Sequence, residues 1–267
     1  MATQSHALKN TARALLRRAP GLEAAIRGLH FAVQFRSVSS SDLSQVAEEL
    51  SAAWKDEGIP AKQRALVQPH LDEYRAGQPN RVFDALVDIL VHNVSELENK
   101  ILLEIGCSTG HYAEVLRSRG VAVTYQGCDF SEGFIRMARQ IYPSNRFDVE
   151  DATRLSYESR SFDIVVSGGC LSLIRDYEKV IAEAVRVSRQ FVIFHRIPVL
   201  HLAGPAFYTM KAYGVEMLEI HFNEQELVRA FGSHGLQIVD INSHHCLPKG
   251  PQADPLIYKT YLCRKAV

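Results

Sequence analysis

Long apolar runs and an excess of either charge are both missing from this 267-residue sequence. No apolar stretch approaches the ~18 residues of a membrane-spanning helix, and the N-terminus lacks the apolar region of a secretion signal. Thirty basic residues balance thirty acidic ones, and a neutral body does not favour nucleic acid, whose phosphates need a basic face. We therefore expect a cytoplasmic protein with no nucleic-acid partner.

Cysteine is scarce and scattered. The five cysteines form no C-x-x-C pair, which disfavours a disulfide framework or a zinc site and favours a reduced compartment. The triplet His244-His245-Cys246 has no further ligands at a useful spacing, so no metal is expected.

Two common phosphate-binding signatures are absent from the glycine-containing stretch ILLEIGCSTGHYAEVL, residues 101–116. A P-loop requires G-x-x-x-x-G-K-S/T, whereas His111 follows Gly110. A dinucleotide fingerprint requires glycines at positions 106, 108 and 111, and the last two are serine and histidine. A nucleotide triphosphate is excluded here, and a nicotinamide cofactor is disfavoured.

The sequence divides near residue 98 into a helical part and an alternating part. Residues 1–97 carry apolar residues at helical spacing and no convincing strand, which predicts a helical extension or lid. Residues 98–267 alternate short apolar strands with capped helices, which predicts a doubly wound α/β sheet of Rossmann-like architecture. Seven strands are expected, and the last two lack an intervening helix, so they should form an antiparallel hairpin at one edge.

The motif that is present is E-x-G-x-x-x-G, formed by Glu104, Gly106 and Gly110. It resembles motif I of class I S-adenosylmethionine-dependent methyltransferases, which implies S-adenosylmethionine as cofactor. Glycines let the backbone approach a ligand closely, and an acid such as Glu104 suits the ammonium of the cofactor's methionine. The family often has a further glycine where this chain has Ser108, which is small enough to keep the turn.

Further segments in the same order match the other cofactor-binding motifs of the family. By this resemblance, Asp129 accepts the ribose hydroxyls and Phe130 lies against the adenine. Asp151 meets the adenine amino group with help from the backbone of Ala152. The end of the fourth strand, Ser167 and Gly168 with Gly169, faces the transferring methyl.

Beyond the cofactor half, FHRIPV, KAYGVEMLEIHFNEQEL and KTYLC resemble a bacterial group within the type 11 methyltransferases, so the likeness spans about residues 45–264. The acceptor is expected to be a small molecule or a sugar hydroxyl, since the Asp/Asn-Pro-Pro-Tyr/Phe segment of nucleobase amino methyltransferases is absent. His195, at the end of the fifth strand, is the candidate general base, because the pKa of histidine lies near neutrality. A hydrogen-bonded core histidine is an equal alternative.

Other candidate residues lie on either side of the cofactor motifs. The insert after the fifth strand commonly covers the acceptor in this family and contains Tyr208, Lys211, Tyr213, Glu219 and His221. In the helical extension, Trp54 and Gln63 are lid candidates. Packing or surface roles remain open for all seven.

The first 37 residues have six basic residues and one acid. Residues 8–35 are basic and amphipathic, which indicates a packed first helix or, alternatively, weak contact with a membrane surface or a partner.

The predicted function is methyl transfer from S-adenosylmethionine. The alternatives are a non-catalytic module that only binds the cofactor and a methyltransferase peripheral to the inner membrane.

Overall fold

The computed structural model describes residues 35–39, 41–201, 204–247 and 255–266. Of the predicted amphipathic segment 8–35 only Phe35 belongs to this part, and residues 248–254 lie outside it. Among the described residues, no helix is long and apolar enough to cross a membrane.

Seven α-helices and ten β-strands make up the described chain. The helices are α1 Leu43–Ala53, α2 Ile59–Arg75, α3 Arg81–Asn93, α4 His111–Ser118, α5 Glu132–Ile141, α6 Tyr177–Val187 and α7 Glu224–Ser233. The strands are β1 Phe35–Ser37, β2 Ile101–Ile105, β3 Thr124–Asp129, β4 Arg146–Val149, β5 Phe162–Ser167, β6 Ser188–Leu200, β7 Ala206–Ala212, β8 Val215–Asn223, β9 Leu236–Leu247 and β10 Leu256–Lys265.

The central sheet has the order β4-β3-β2-β5-β6-β10-β9. The first five strands are parallel to one another. Strand β10 runs antiparallel to both β6 and β9, which confirms the predicted seven-stranded sheet with an antiparallel C-terminal hairpin. The carboxyl ends of β2, β3 and β5 therefore meet at one edge, where a doubly wound sheet binds its ligand.

Alternation along the strands divides the core into two layers. Leu102, Ile164 and Ile193 face the layer that contains α2, α3 and α4. Leu103 and Val165 face the layer that contains α6 and α7. Because side chains alternate along a strand, Glu104 and His195 point toward the layer of α4.

A second group of strands was not expected. Strands β7 and β8 form an antiparallel hairpin, and β1 adds to β7 with Phe35 opposite Met210. This hairpin joins the central sheet through a short parallel pairing of β8 with the end of β6. The prediction of no strand before residue 98 was therefore wrong at β1, whose three residues are too short to give a period-two pattern.

The helices before residue 98 share their core with the sheet. Helices α2 and α3 contribute Leu71, Tyr74, Leu86 and Leu90 to the same apolar cluster as the strands. Helix α3 begins at Asn80, whose side chain accepts hydrogen bonds from the amides of the first turn. The segment thus packs against the domain, which is what a covering element requires.

Candidate active site

The turn after β2 brings three left-handed residues close together. Gly106 and Gly110 have φ values of +71° and +74°, and Ser108 between them has +51°. A Cβ on Gly106 would lie 2.4 Å from the Cβ of Cys170, and one on Gly110 would lie 2.6 Å from the ring of Phe147. Both glycines are therefore required by conformation and by space.

Asp129 at the end of β3 is tied to this turn. Its two carboxylate oxygens accept hydrogen bonds from the amides of Ser108 and Ser131, each at 3.0 Å. Burial raises the pKa of Asp129 to about 6, while these amides oppose the rise. Each oxygen keeps a lone pair, so the carboxylate can still accept from two ligand hydroxyls.

Glu104 is buried on β2, and the hydroxyl of Tyr125 donates a hydrogen bond to its Oε2. A Cβ on Gly168 would lie 2.3 Å from its other oxygen, Oε1, so the end of β5 lies directly against the carboxyl group. Burial raises the pKa of Glu104 to about 8, with a further contribution from the charge of Asp129. A carboxyl group in this state favours a nearby cation, because a positive charge would stabilise its ionised form.

The remaining predicted cofactor residues lie around the same edge. The ring of Phe130 is partly exposed, with the ammonium of Lys55 5.8 Å from its centroid. Asp151 is exposed and accepts hydrogen bonds from the amide and hydroxyl of Thr153. Ala152 is half-buried, and Ser167 is fully buried.

Ser167 does not present its hydroxyl to the crevice. Its Oγ lies 3.3 Å from the Sγ of Cys170, which in turn donates to the carbonyl of Ile105 at 3.2 Å. These contacts fix the turn after β5 against the end of β2. Ser167 is therefore a structural member of the site, and its predicted contact with the cofactor remains a prediction.

His195 is fully buried, and both of its ring nitrogens have partners. Nε2 lies 2.7 Å from the hydroxyl of Tyr112, and Nδ1 lies 2.7 Å from the hydroxyl of Thr260. Burial, followed by the charge of Arg196, holds the pKa of His195 well below its usual range. This is the geometry of a core histidine, and a role as general base would have to act through Tyr112.

The insert after β6 forms a second polar cluster. Glu219 and His221 on β8 are buried, with 3.6 Å between Oε2 and Nε2. Tyr258 on β10 donates to the other oxygen of Glu219 at 3.3 Å, and the rings of Tyr208 and His221 lie 4.5 Å apart. The insert is thus a structured extension of the sheet. Lys211, another candidate residue of the insert, is exposed.

Of the two lid candidates, Gln63 contacts the glycine-rich turn and Trp54 packs beside it against other elements. Gln63 on α2 is buried, and its Nε2 donates to the hydroxyl of Ser108 at 3.0 Å. Trp54 packs between Phe134 of α5 and Tyr213 of the β7–β8 turn, with centroid distances of 6.3 and 6.0 Å. The first helices therefore bridge the cofactor half and the insert.

Four residues at the site were not predicted: Tyr112, Tyr125, Cys170 and Arg196. Tyr112 lies two residues after Gly110, in the first turn of α4, and this position beside the glycine-rich turn could have suggested it. The alternation of side chains along β3 places Tyr125 at an inward-facing position, which could have suggested it. Arg196 has a φ of +62° inside β6, and a Cβ on Gly169 would lie 3.8 Å from its Cβ; no sequence signal predicts that bend.

The residues fit S-adenosylmethionine on structural grounds. Glu104 is a buried acid with a raised pKa, which an ammonium would stabilise, and Asp129 has lone pairs that ribose hydroxyls could use. The amide oxygen of Gln63, buried at the turn, has no hydrogen-bond partner. A ligand with donors at its ribose and methionine ends would satisfy all three groups.

Comparison with known proteins agrees with this geometry. Residues 103–194 match the family model described as a methyltransferase domain, Methyltransf_11. A norajmaline N-methyltransferase from Rauvolfia serpentina is 28% identical over 120 residues, which are 43% of this chain and 41% of that protein. A malonyl-(acyl-carrier protein) O-methyltransferase from Bacillus cereus is 30% identical over 112 residues, 41% of either chain.

A solved structure shares the fold. A SAM-dependent methyltransferase from Methanosarcina mazei superposes with a TM-score of 0.54 at 20% identity and covers 67% of this chain and 97% of its own. The chain spans less than half the length of the two curated relatives described above. Fold and site together define a class I S-adenosylmethionine-dependent methyltransferase domain, and S-adenosylmethionine is its cofactor. The stretch that matches the type 11 methyltransferase-domain model is residues 103–194.

Proposed function

We propose that this protein transfers a methyl group from S-adenosylmethionine to a hydroxyl of a small molecule or sugar. The observation that carries the proposal is the paired environment of Glu104 and Asp129, two buried acids on neighbouring strands that meet one glycine-rich turn. The two curated relatives are named for an N- and an O-methyl transfer, so their names support methyl transfer in general.

The chain's residues would divide the work by position. Asp129 would hold the ribose hydroxyls, Glu104 the ammonium, and Phe130 with Asp151 the adenine. When bound, S-adenosylmethionine supplies an electrophilic methyl group on its sulfonium. Gly169, where an added Cβ would meet nothing closer than 3.8 Å, would leave room for an acceptor at the end of β5. Positioning of the nucleophile supplies most of the rate in such a displacement.

Proton removal from the acceptor is assigned to His195 acting through Tyr112. The phenol can give its proton to Nε2 as it takes one from the acceptor, and Thr260 holds the opposite side of the ring. The lowered pKa of His195 makes it a weak base, so a substrate hydroxyl of low pKa would suit this arrangement.

The first test is calorimetric titration with S-adenosylmethionine, S-adenosylhomocysteine and NADH. We expect micromolar binding of the first two and at least a tenfold loss in Asp129→Ala. Label transfer from methyl-labelled S-adenosylmethionine to a panel of phenols, carboxylated small molecules and sugars would then identify the acceptor. Binding of NADH alone would overturn the proposal.

A second candidate is a module that binds the cofactor without turnover. It is favoured by the full burial of His195, which leaves no exposed base at the predicted position. Tight S-adenosylhomocysteine binding, with no label transfer to any acceptor and unchanged behaviour of His195→Gln and Tyr112→Phe, would support this candidate.

We also propose weak attachment to an anionic membrane surface through residues 8–35, on the strength of their basic, amphipathic sequence. Co-sedimentation with vesicles containing phosphatidylserine should be compared between the full chain and a chain starting at Gln34. This start keeps β1, which a later one would remove. Equal partition of the two chains would overturn membrane attachment. The proposed acceptor, a small molecule or glycan, does not depend on this result.

A further inference from the structure

The side-chain amide of Gln63 has a hydrogen bond at its nitrogen and none at its oxygen. It lies on α2, is 6% exposed, and donates from Nε2 to the hydroxyl of Ser108 at 3.0 Å. Its Oε1 is buried without a hydrogen-bond partner. Native structures rarely leave a buried amide oxygen unpaired, because burying it without a donor is costly.

The unpaired oxygen lies at the cofactor turn and is shielded from solvent. Ser108, the partner of the other end of the amide, also donates its own amide to Asp129. The function proposed for the Asp129 carboxylate is to hold the ribose. A donor on the ribose or on the adjoining methionine ammonium would therefore come within reach of Gln63.

We propose that Oε1 of Gln63 accepts a hydrogen bond from bound S-adenosylmethionine, so that α2 contributes a residue to the cofactor site. This inference rests on the proposed function. The donor belongs to the ribose–methionine end of the cofactor, as a hydroxyl or as the ammonium, and the two sources can be separated experimentally.

The serine at position 108 gains an explanation from the same contact. A residue other than glycine at φ +51° carries some strain. Here the side chain supplies the acceptor that orients the amide of Gln63. Glycine at position 108 would relieve the strain and lose the contact that holds the glutamine.

Neighbouring contacts hold α2 in position for this role. Arg64, the next residue, donates to the hydroxyl of Tyr142 at 2.8 Å and pairs with Glu114 at 3.4 Å. Pro60 lies near Gly133 of α5, since a Cβ on that glycine would be 3.3 Å from its ring. Helix α2 is therefore fixed to the domain on both sides of Gln63.

The test is isothermal titration of the full chain and three variants with two probes. S-adenosylhomocysteine has both the ribose and the ammonium, whereas 5′-methylthioadenosine has the ribose without the amino acid. Gln63→Ala should weaken S-adenosylhomocysteine binding about five- to tenfold, the effect of one lost hydrogen bond. Ser108→Gly should weaken it less, and Gln68→Ala on the same helix should change it less than twofold.

The second probe identifies the donor. An equal loss for 5′-methylthioadenosine in Gln63→Ala places the hydrogen bond on the ribose, and an unchanged affinity places it on the ammonium. Both results support the proposal. Wild-type affinity of Gln63→Ala for both probes would overturn it while leaving the proposed function intact.

Thermal unfolding separates a binding role from a structural one. If Gln63 acts on the cofactor, saturating S-adenosylhomocysteine should raise the Tm of Gln63→Ala less than that of the wild type, because stabilisation follows affinity. A lowered Tm without ligand, combined with a full ligand-induced increase, would show a structural role and overturn the proposal. Absence of binding to the wild type would overturn this inference and the proposed function together.

Discussion

Gly168 and Glu104 lie so close together at the site that residue 168 has no space for a side chain. Its backbone does not require a positive φ, so an alanine would be excluded only by Glu104, whose Oε1 would lie 2.3 Å from the new Cβ. We expect Gly168→Ala to destabilise the protein by about 1–3 kcal/mol, as overpacking does, and to weaken S-adenosylhomocysteine binding more than tenfold. Urea unfolding and calorimetry measure the two effects.

The matched control is Gly232→Ala in α7, where a Cβ would meet nothing within 4 Å. This change should stabilise the protein by about 0.5–1 kcal/mol through the helix propensity of alanine. Unchanged binding and stability in Gly168→Ala would mean that Glu104 does not lie against the end of β5.

Glu104 also makes stability depend on pH in a defined direction. Its pKa is raised from an ordinary 4.5 to about 8 in the folded protein, so its stabilising contribution is full below the ordinary value and is lost as the pH rises to about 8. Relative to Glu104→Gln, the wild type should lose stability between about pH 5 and about pH 9. Urea unfolding at each pH gives the difference directly.

Taking the difference between the two proteins removes the titrations of groups that do not interact with Glu104, whereas Asp129, whose charge raises the pKa of Glu104, still contributes to it. The buried His111, whose pKa burial lowers to about 3, acts in the opposite sense, since its contribution is lost as the pH falls. Parallel stability curves for wild type and Glu104→Gln would show that Glu104 is not a buried acid with a raised pKa.

The sequence carries enough information to place the residues of the cofactor turn, and much less for those that support them. Gly106, Gly110 and Asp129 follow from strand ends and spacing, which are local. The hydrogen bond from Tyr125 to Glu104 and the partners of His195 depend on how separate elements pack. A histidine at a strand end gives no sign of whether its nitrogens are occupied, so the two interpretations of His195 stayed equal until the structure placed Tyr112 and Thr260 beside it.

At the scale of elements, the contact between α2 and the domain depends on a small polar network. Glu114 on α4 is buried and accepts from Tyr142 at 2.6 Å, with Arg64 at 3.4 Å and Arg75 at 3.2 Å. Arg64→Ala removes one of the two arginine charges that compensate the buried carboxylate of Glu114. We expect a loss of about 2 kcal/mol in the free energy of unfolding and weaker cofactor binding, because α2 carries Gln63.

The network can be compared with an exposed ion pair between the same parts of the chain. Arg136 on α5 pairs with Glu57, and both side chains are more than half exposed. Arg136→Ala should change stability by less than about 1 kcal/mol, as surface pairs do. Equal effects of the two substitutions would show that burial of Glu114 contributes nothing.

Strand β1 gives a prediction for the insert. Phe35 is 4% exposed and packs against the rings of Tyr208 and His221 at 5.8 and 5.0 Å. Phe35→Ala should release β1 and increase amide hydrogen exchange along β7, whose edge would then be unpaired. Exchange in β2 and β5 should stay unchanged.

Arg36→Ala is the control, because Arg36 lies in the same strand with its side chain 72% exposed. It should leave exchange in β7 at the wild-type rate. Protection of β7 that survives Phe35→Ala would mean that β1 contributes nothing to the insert.

The elements of the central sheet were predictable because each carries its own pattern. Strands β2 to β6 are apolar runs, and helices such as α7 begin at a recognisable cap, where Asn223 accepts from the amide of Glu226. Not every helix has such a cap: Asp176 is the N-cap residue of α6, but its side chain forms ion pairs with Arg175 and Lys179 and makes no capping hydrogen bond. Strand β1 could not be predicted, since its partner is distant in sequence and its length is three residues.

At the scale of the whole molecule, one strand joins the cofactor half to the insert. Strand β6 spans thirteen residues; it pairs with β5 and then β8 on one side and with β10 on the other. Arg196 and His195, which lie near Gly169 at the end of β5 where the acceptor is proposed to bind, belong to this strand. A change in the insert can therefore alter the acceptor site while the cofactor turn stays intact.

This shared strand also sets an order for assembly during synthesis. Strands β2 to β5 can pair as the ribosome releases them, but β6 emerges with one edge that waits for β10 near the end of the chain. Strand β1, among the first described segments to emerge, has no partner until Met210 and its neighbours follow. The first strand of the described residues thus waits for a partner far along the sequence, and long-range pairing of this kind slows folding.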